Sequence, residues 1–175
     1  MDNITILIDT REKQTHNNFM LKKWFSDNGI LWREQKLTAG DYSFEIMGKS
    51  FEKEIVIERK SGKKLHGGGW TELKGNICSK DKTRITSEFD KLCENRTIVF
   101  LLIENAKGFA DILNAKSHAK FFMISNDLFA FKFNKWLNEV NEKRFKTELQ
   151  PVNVIYCDAE TTGQIILRIF NNYLR

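Results

Sequence analysis

Three charged residues follow a buried apolar run in the segment I-V-I-E-R-K-S-G-K-K at residues 55–64. Successive side chains of a strand point to opposite faces, so Glu58 and Lys60 share one face and Arg59 takes the other. Asp41 precedes the other strand of a predicted hairpin. An even-numbered turn places it opposite or diagonal to Glu58, whereas a three-residue turn would not. With the even turn, Asp41, Glu58 and Lys60 form a cluster of two carboxylates and one ammonium.

Such a cluster is suited to phosphodiester hydrolysis with a divalent metal. Two carboxylates offer the hard oxygen ligands that Mg²⁺ prefers, and Mg²⁺ keeps several waters and takes phosphate as a further partner. The metal can activate a bound water and polarise a phosphoryl oxygen. A lysine can orient that water or stabilise the developing negative charge. Spacing alone favours the simpler interpretation of an exposed strand end with an ion pair, because an acid followed by E-x-K is frequent in charged proteins.

Acids also end two other apolar runs. Asp9 follows Ile8, Glu58 follows Ile57, and Glu104 follows Ile103. Three such strand ends suggest that the acids gather at one rim of a sheet, where they would repel one another unless a cation lies among them.

The elements that would position these residues alternate along the chain. Periodicity and turn residues predict strands at 4–8, 31–37, 42–47, 51–60, 98–103 and 152–156. Helices are predicted at 17–28, 83–93, 109–113, 127–148 and from 161 or 162 to 173. Residues 61–81 are rich in glycine, and we expect a mobile loop that interrupts a helix there. The pattern predicts an α/β fold with a mixed central β-sheet flanked by helices, as a single domain over residues 1–175.

Composition narrows the class of protein and of partner. The net charge is +5 and the pI is about 9.1, which favours a polyanionic partner, although many mildly basic proteins bind no nucleic acid. The three cysteines have no zinc-site or disulfide spacing. No signal peptide or membrane-spanning stretch is recognisable, so we expect an intracellular protein with no membrane partner.

Longer motifs carry a family resemblance. The segments I-D-T-R-E (8–12), A-G-D-Y (39–42) and V-I-E-R-K (56–60) resemble the nuclease domain of the XPF-type structure-specific endonucleases. The segments R-I-T-S-E-F-D-K-L (84–92) and L-L-I-E (101–104) are similar to its next helix and core strand, and residues 158–174 to its last helix region. The resemblance covers roughly the whole chain and implies a restriction-endonuclease-like fold.

The resemblance also implies a function and a set of roles. Family members cut branched or flapped DNA near single-strand/double-strand junctions, so we expect an endodeoxyribonuclease that depends on Mg²⁺ or Mn²⁺. Its metal-site carboxylates would be Asp9, Asp41 and Glu58. The catalytic set would be Asp41, Glu58, Lys60 and Arg59, with Arg59 supporting the site or meeting phosphate. Supporting residues would be Arg11, Glu12, Arg84 and Glu104.

One residue departs from the family pattern. The pattern continues E-R-K-x-x-x-D, and its last position here is Lys64. Since Asp41, Glu58 and Lys60 remain, altered metal affinity is one interpretation. The alternative is a catalytically impaired nuclease fold that serves as a DNA-binding or partner subunit. A restriction-type duplex endonuclease is a third option, against which the D-x-R-E and G-D-Y segments argue.

DNA contacts and oligomeric state are the remaining expectations. Lys63 and Lys64 could grip DNA beside the site, and Trp70 could stack on an unpaired base, unless the segment is only a solvated loop. The aromatic residues of 121–136 suit a core, or in part a homodimer interface. No helix-hairpin-helix signature appears, so we expect a stand-alone nuclease core like those of bacteria and phages, in the cytoplasm or nucleoid.

Overall fold

Seven strands and five α-helices make up the computed structural model, which describes residues 4–12, 16–64, 68–78, 82–94, 98–115 and 124–175. The strands are β1 (Ile4–Asp9), β2 (Leu31–Gln35), β3 (Tyr42–Ile46), β4 (Lys49–Ser50), β5 (Ile55–Lys60), β6 (Ile98–Glu104) and β7 (Asn153–Cys157). The helices are α1 (His16–Asp27), α2 (Gly69–Cys78), α3 (Lys82–Glu94), α4 (Asn126–Lys146) and α5 (Thr162–Tyr173). Short 3₁₀ helices cover Phe109–Asn114 and Ala159–Thr161. Among the helices so described, none is long and apolar enough to cross a membrane.

All strands belong to one sheet in the order β2-β1-β3-β5-β6-β7, with β4 paired to β3. The pairs β1–β2, β5–β6 and β6–β7 are parallel, and β1–β3 and β3–β5 are antiparallel. The predicted α/β fold with a mixed central sheet is therefore confirmed. The sheet's central strands are continuous apolar runs because helices cover both faces.

Two hydrophobic clusters lie on opposite faces of the sheet and fix the direction of each β5 side chain. Val56 belongs to the cluster that includes residues of α2, α3 and α4. Ile55 and Ile57 belong to the other cluster, which includes residues of α1 and α5. By the alternation of a strand, Glu58 and Lys60 continue the α2–α4 face and Arg59 continues the α1–α5 face.

The hairpin register brings the two predicted carboxylates level with each other. Tyr42 pairs with Ile57, so Asp41 stands opposite Glu58 in the antiparallel ladder. The return strand begins at Ile55 rather than at residue 51, because the short strand β4 and a turn over 51–54 precede it. Although the connection between β3 and β5 is longer than a tight turn, it gives the pairing that an even-numbered turn would give, with Asp41 opposite Glu58.

The glycine-rich segment is more regular than the sequence indicates. Helix α2 runs through Gly69–Cys78, where we expected a mobile loop; residues 65–67 and 79–81 of that expectation lie outside the described residues. A Cβ atom at Gly69 would lie 2.2 Å from the carbonyl oxygen of Lys60, and one at Gly68 would lie 2.4 Å from that of Glu104. The glycines are therefore needed for the start of α2 to pack directly on the ends of β5 and β6.

Candidate active site

The backbone around Asp41 holds its side chain at the end of β5. Gly40 has φ +78°, and a Cβ atom there would lie 3.0 Å from Cβ of Val56, so only glycine allows this close crossing. The Asp41 N–H donates to Ile57 O (2.9 Å), and its carbonyl accepts from Asp9 N (2.8 Å). Its carboxylate Oδ2 accepts a 2.7 Å hydrogen bond from Arg59 N. The peptide groups of β1 and β5 thus fix the position of Asp41.

One oxygen each of Asp41 and Glu58 lacks a donor. Asp41 Oδ1 and Glu58 Oε2 accept no hydrogen bond from the part of the chain that the structure describes. Both residues line a cleft of about 170 Å³, together with Asp9 and Arg11 and with Glu88 and Lys91 of α3. Burial, with repulsion from Glu58 and Glu12, raises the pKa of the Asp41 carboxyl well above its ordinary value. A cation between the two carboxylates would relieve that repulsion.

This donor set fits Mg²⁺ or Mn²⁺ with few protein ligands. No group of three or more His, Cys, Asp or Glu side chains is placed to hold an ion within the described ranges. Mg²⁺ usually keeps several waters and binds through one or two carboxylates plus substrate phosphates. The pair of uncommitted oxygens on Asp41 and Glu58 meets that requirement.

Lys60 lies buried between two carboxylates. Its Nζ is 2.6 Å from Glu58 Oε1 and 3.5 Å from Glu72 Oε1. Burial by itself would lower the pKa of Lys60, but the charges of Glu58, Glu72 and Asp41 outweigh it and raise the pKa above the ordinary value. The ammonium therefore stays charged at every physiological pH.

Glu72 is the site residue that the sequence analysis missed. It lies in the first turn of α2, where the helix dipole favours a carboxylate. Its Oε2 accepts a 3.0 Å hydrogen bond from Ser61 N, the residue directly after β5. An acid near the start of a helix is a recognisable signal, but the glycines of residues 61–81 predicted a mobile loop there.

Asp9 accepts hydrogen bonds from the chain with both of its carboxylate oxygens. Its Oδ1 accepts from Arg11 N and Nε (both 2.7 Å), and its Oδ2 accepts from Leu37 N (2.7 Å) and Arg11 Nη2 (2.8 Å). A carboxylate oxygen has about two lone-pair sites, so both oxygens are saturated. Through these contacts Asp9 holds Arg11 and the 36–39 segment at the edge of the cleft, and its role as a metal ligand stays a prediction that would require some of these hydrogen bonds to be exchanged. Arg11 keeps 56% of its side chain exposed there.

Arg59 lies on the other face of the sheet and is corrected from a catalytic to a structural residue. Its side chain is 1% exposed, so it cannot meet a DNA phosphate. Its Nε and Nη2 donate to Glu12 Oε1 (3.1 and 2.7 Å), and its Nη1 donates to Glu104 Oε1 (3.1 Å). What it contributes to the site is its backbone N–H, which binds Asp41.

Glu12 and Glu104 complete this buried network. Glu12 Oε1 also accepts from the Tyr42 hydroxyl (3.2 Å), and Glu104 Oε1 accepts from Thr162 Oγ1 (2.8 Å). The network ties the ends of β1, β3, β5 and β6 to the start of α5, which agrees with the supporting role expected of both acids. Arg84 is in α3, but its side chain lies outside the described residues.

The three residues predicted to contact DNA differ in solvent exposure. Lys63 is exposed, and Lys64 is 67% exposed with its Nζ 3.2 Å from Asp158 Oδ1. Trp70 is 0% exposed, so the prediction that it stacks on a DNA base is wrong. Its ring packs edge-on against Phe133 at 5.0 Å, and its indole N–H donates to Gly108 O (3.2 Å). The glycine-rich segment looked exposed, whereas its tryptophan is part of the core.

Comparisons with known proteins bear on the family and the fold. The model of the ERCC4 domain family matches residues 8–162. Among solved structures, XPF from Aeropyrum pernix is similar with a TM-score of 0.53 and 14% identity, over 98% of this chain and 62% of that chain. This chain therefore matches less than two thirds of that protein's length, and at this identity the similarity shows the fold. No curated protein matches.

Proposed function

Because this chain belongs to the ERCC4 domain family, we propose that it is a metal-dependent DNA endonuclease that hydrolyses phosphodiester bonds at branched, flapped or junction DNA. The family is one of structure-specific nucleases that act on DNA. The observation that carries the proposal is the pair of uncommitted oxygens, Asp41 Oδ1 and Glu58 Oε2, beside the charged Lys60.

Asp41 and Glu58 would hold Mg²⁺ or Mn²⁺ through these oxygens. When bound, the ion would supply an activated water and polarise a phosphoryl oxygen. The residues around it are already arranged for that purpose. The Arg59 N–H and the neighbouring strands fix Asp41, and Glu58 is held through Lys60. Little reorganisation of the protein would be needed when substrate arrives.

Lys60 acts by charge and not as a base. Its raised pKa keeps it protonated, so it has no lone pair with which to accept a proton from water. It can donate hydrogen bonds to the scissile phosphate and stabilise the negative charge that develops there. This narrows the expectation from the sequence, which left open whether Lys60 orients the water or stabilises the phosphate.

Basic side chains beside the cleft support DNA as the substrate. Arg11 and Lys91 line the same cleft as the two metal-site carboxylates, and Arg11 is anchored by Asp9 with much of its surface exposed. Contacts from such residues to backbone phosphates position nucleic acid without reading its sequence. That mode suits an enzyme that recognises the shape of a DNA junction.

The second candidate function, a catalytically impaired DNA-binding or partner subunit, rests on Lys64. The structure weakens that argument, because Lys64 is exposed and paired with Asp158, which follows β7. The carboxylates lie between β3 and β5, two strands away in the sheet order. Glu72 lies next to Lys60 instead, so the site has an acid that the linear pattern lacks.

Cleavage of defined DNA structures tests the proposal. Labelled flap, splayed-arm, four-way and plain duplex DNAs would be incubated with Mg²⁺ or Mn²⁺, using Glu58→Ala as the inactive variant. Glu142→Gln, which removes one exposed charge from α4, is the matched control. We expect metal-dependent cutting that is retained in the control and lost in Glu58→Ala. DNA binding without cutting in either metal would favour the impaired subunit.

A further inference from the structure

We propose that Glu72 is a positioning residue that receives the ammonium group of Lys60 when Glu58 binds the metal ion. The inference rests on the proposed function, because it describes how the metal site is prepared. It concerns a residue outside the D-x-R-E, G-D-Y and E-R-K motifs.

Lys60 is hydrogen-bonded to Glu58, one of the two carboxylates that would bind the metal ion. Its Nζ is 2.6 Å from Glu58 Oε1, which is the length of a strong charge-assisted hydrogen bond. A divalent ion on Glu58 Oε2 would place a second cation on the same carboxylate. The two positive charges repel each other at this distance, and the repulsion is strong in a buried site. Metal binding therefore favours a Lys60 position farther from Glu58.

Glu72 provides that position. Its Oε1 is 3.5 Å from Lys60 Nζ, so a movement of roughly 0.7 Å would shorten the contact to the usual length of a hydrogen bond between an ammonium and a carboxylate. Lys60 would then keep a carboxylate counter-ion while Glu58 turns its charge to the metal. Without the Glu72 carboxylate, the ammonium would lose this second ion-pair partner and would stay in competition with the ion for Glu58.

The chain holds Glu72 in place for this role. Ser61 N donates to its Oε2 at 3.0 Å, which leaves Oε1 on the side of Lys60. Helix α2 can approach β5 so closely because residue 69 is glycine, since any Cβ atom there would meet the Lys60 carbonyl oxygen. Two features of the backbone, the Ser61 N–H and the glycine at residue 69, therefore hold the Glu72 carboxylate beside Lys60.

Calorimetric titration with Mn²⁺ tests the inference by affinity instead of activity. Glu72→Gln keeps an oxygen that can accept from Ser61 N but removes the charge. We expect it to weaken Mn²⁺ binding by roughly tenfold, because the Lys60 ammonium loses the second carboxylate to which it could move and stays in competition with the ion for Glu58. In a Lys60→Gln background, which has no ammonium to relocate, Glu72→Gln should change the affinity less than about twofold. Glu142→Gln should leave the affinity of the parent unchanged.

Each outcome separates the inference from the function on which it rests. Parent-like Mn²⁺ affinity in Glu72→Gln overturns the inference and leaves the nuclease proposal standing. An equal loss of affinity with and without Lys60 also overturns it, because Glu72 would then act on the ion directly. A parent protein that binds no Mn²⁺ and cuts no DNA overturns both. If Glu72→Gln has a lower melting temperature than the parent in EDTA, Glu72→Asp serves as a second variant. Aspartate keeps the charge but its side chain is shorter, so it should also weaken Mn²⁺ binding.

Discussion

Replacing Arg59 by methionine removes the charge at the centre of the buried network while keeping a side chain of similar length. Its guanidinium makes three hydrogen bonds, two to Glu12 and one to Glu104. After the change, the side chain of Glu12, at 16% exposure, can take up water, but that of Glu104, at 1%, cannot. A buried carboxylate that loses its guanidinium partner is the main cost.

The expected loss is about 3–4 kcal/mol of unfolding free energy, because breaking a buried ion pair by removing one partner costs about 3–5 kcal/mol and part of the network can rehydrate. For a protein of this size that corresponds to a fall in melting temperature of roughly 6–15 °C. Urea denaturation and thermal melting in metal-free buffer would measure both quantities. Combining the change with Glu104→Gln should restore part of the stability, since residue 104 would then carry no buried negative charge without its Arg59 partner.

Arg33 offers a matched control for this experiment. It forms a two-bond ion pair with Glu45, but 48% of its side chain is exposed, so Arg33→Met should cost less than about 1 kcal/mol. The reasoning would be refuted if Arg59→Met unfolded with the same free energy as Arg33→Met. In that case the Arg59 network would be no more than a solvated set of charges, and its role in holding the strand ends together would be lost.

Four further predictions follow from the same contacts. In EDTA, Asp41→Asn should be more stable than the parent at pH 7, because an acid whose folded pKa is raised loses stability as pH rises above its unfolded value. Denaturation at pH 4 should show a smaller gain, and no gain at pH 7 would contradict this. Trp70→Ala should lower stability by about 3–5 kcal/mol by leaving a core cavity, measured by urea unfolding. A loss of DNA affinity without loss of stability would restore the stacking hypothesis. Lys64→Asp should keep DNA cleavage within about threefold of the parent, since it changes only an exposed ion pair, and a large gain would make Lys64 a true defect. Gly69→Ala should destabilise the fold and weaken Mn²⁺ binding because its methyl meets the Lys60 carbonyl, whereas Gly75→Ala, in open space on the same helix, should stabilise by about 0.5–1 kcal/mol.

The sequence was sufficient to predict features that depend on short-range periodicity. Alternation along β5 separates Glu58 and Lys60 from Arg59, and the structure shows them on opposite faces. The strand ends do gather at one rim, as the acids at residues 9, 58 and 104 suggested. Both results follow from the two-residue repeat of a strand and from apolar runs that must be buried.

Features that depend on packing between distant segments were not predictable in the same way. The hydrogen bonds that Asp9 accepts include one from Leu37 N, which is 28 residues away in the sequence. Trp70 looked exposed because it follows glycines that usually mark a loop. At Gly68 and Gly69, however, the backbone approaches the sheet too closely for a Cβ atom. Composition alone cannot separate a glycine that allows movement from one that allows contact.

The acid beside Lys60 shows why a linear motif is an incomplete test of an active site. The family pattern places an aspartate four residues after the lysine, and this chain has Lys64 there. Burial of the Lys60 ammonium requires negative charge nearby, and that charge can come from any position of the chain. Helix α2 supplies it from Glu72, held by Ser61 N and brought close by Gly69. To interpret Lys64 as the mark of an impaired enzyme would therefore require evidence that Glu72 does not serve as this partner of Lys60. The Mn²⁺ affinity of Glu72→Gln, measured with and without Lys60, provides that evidence.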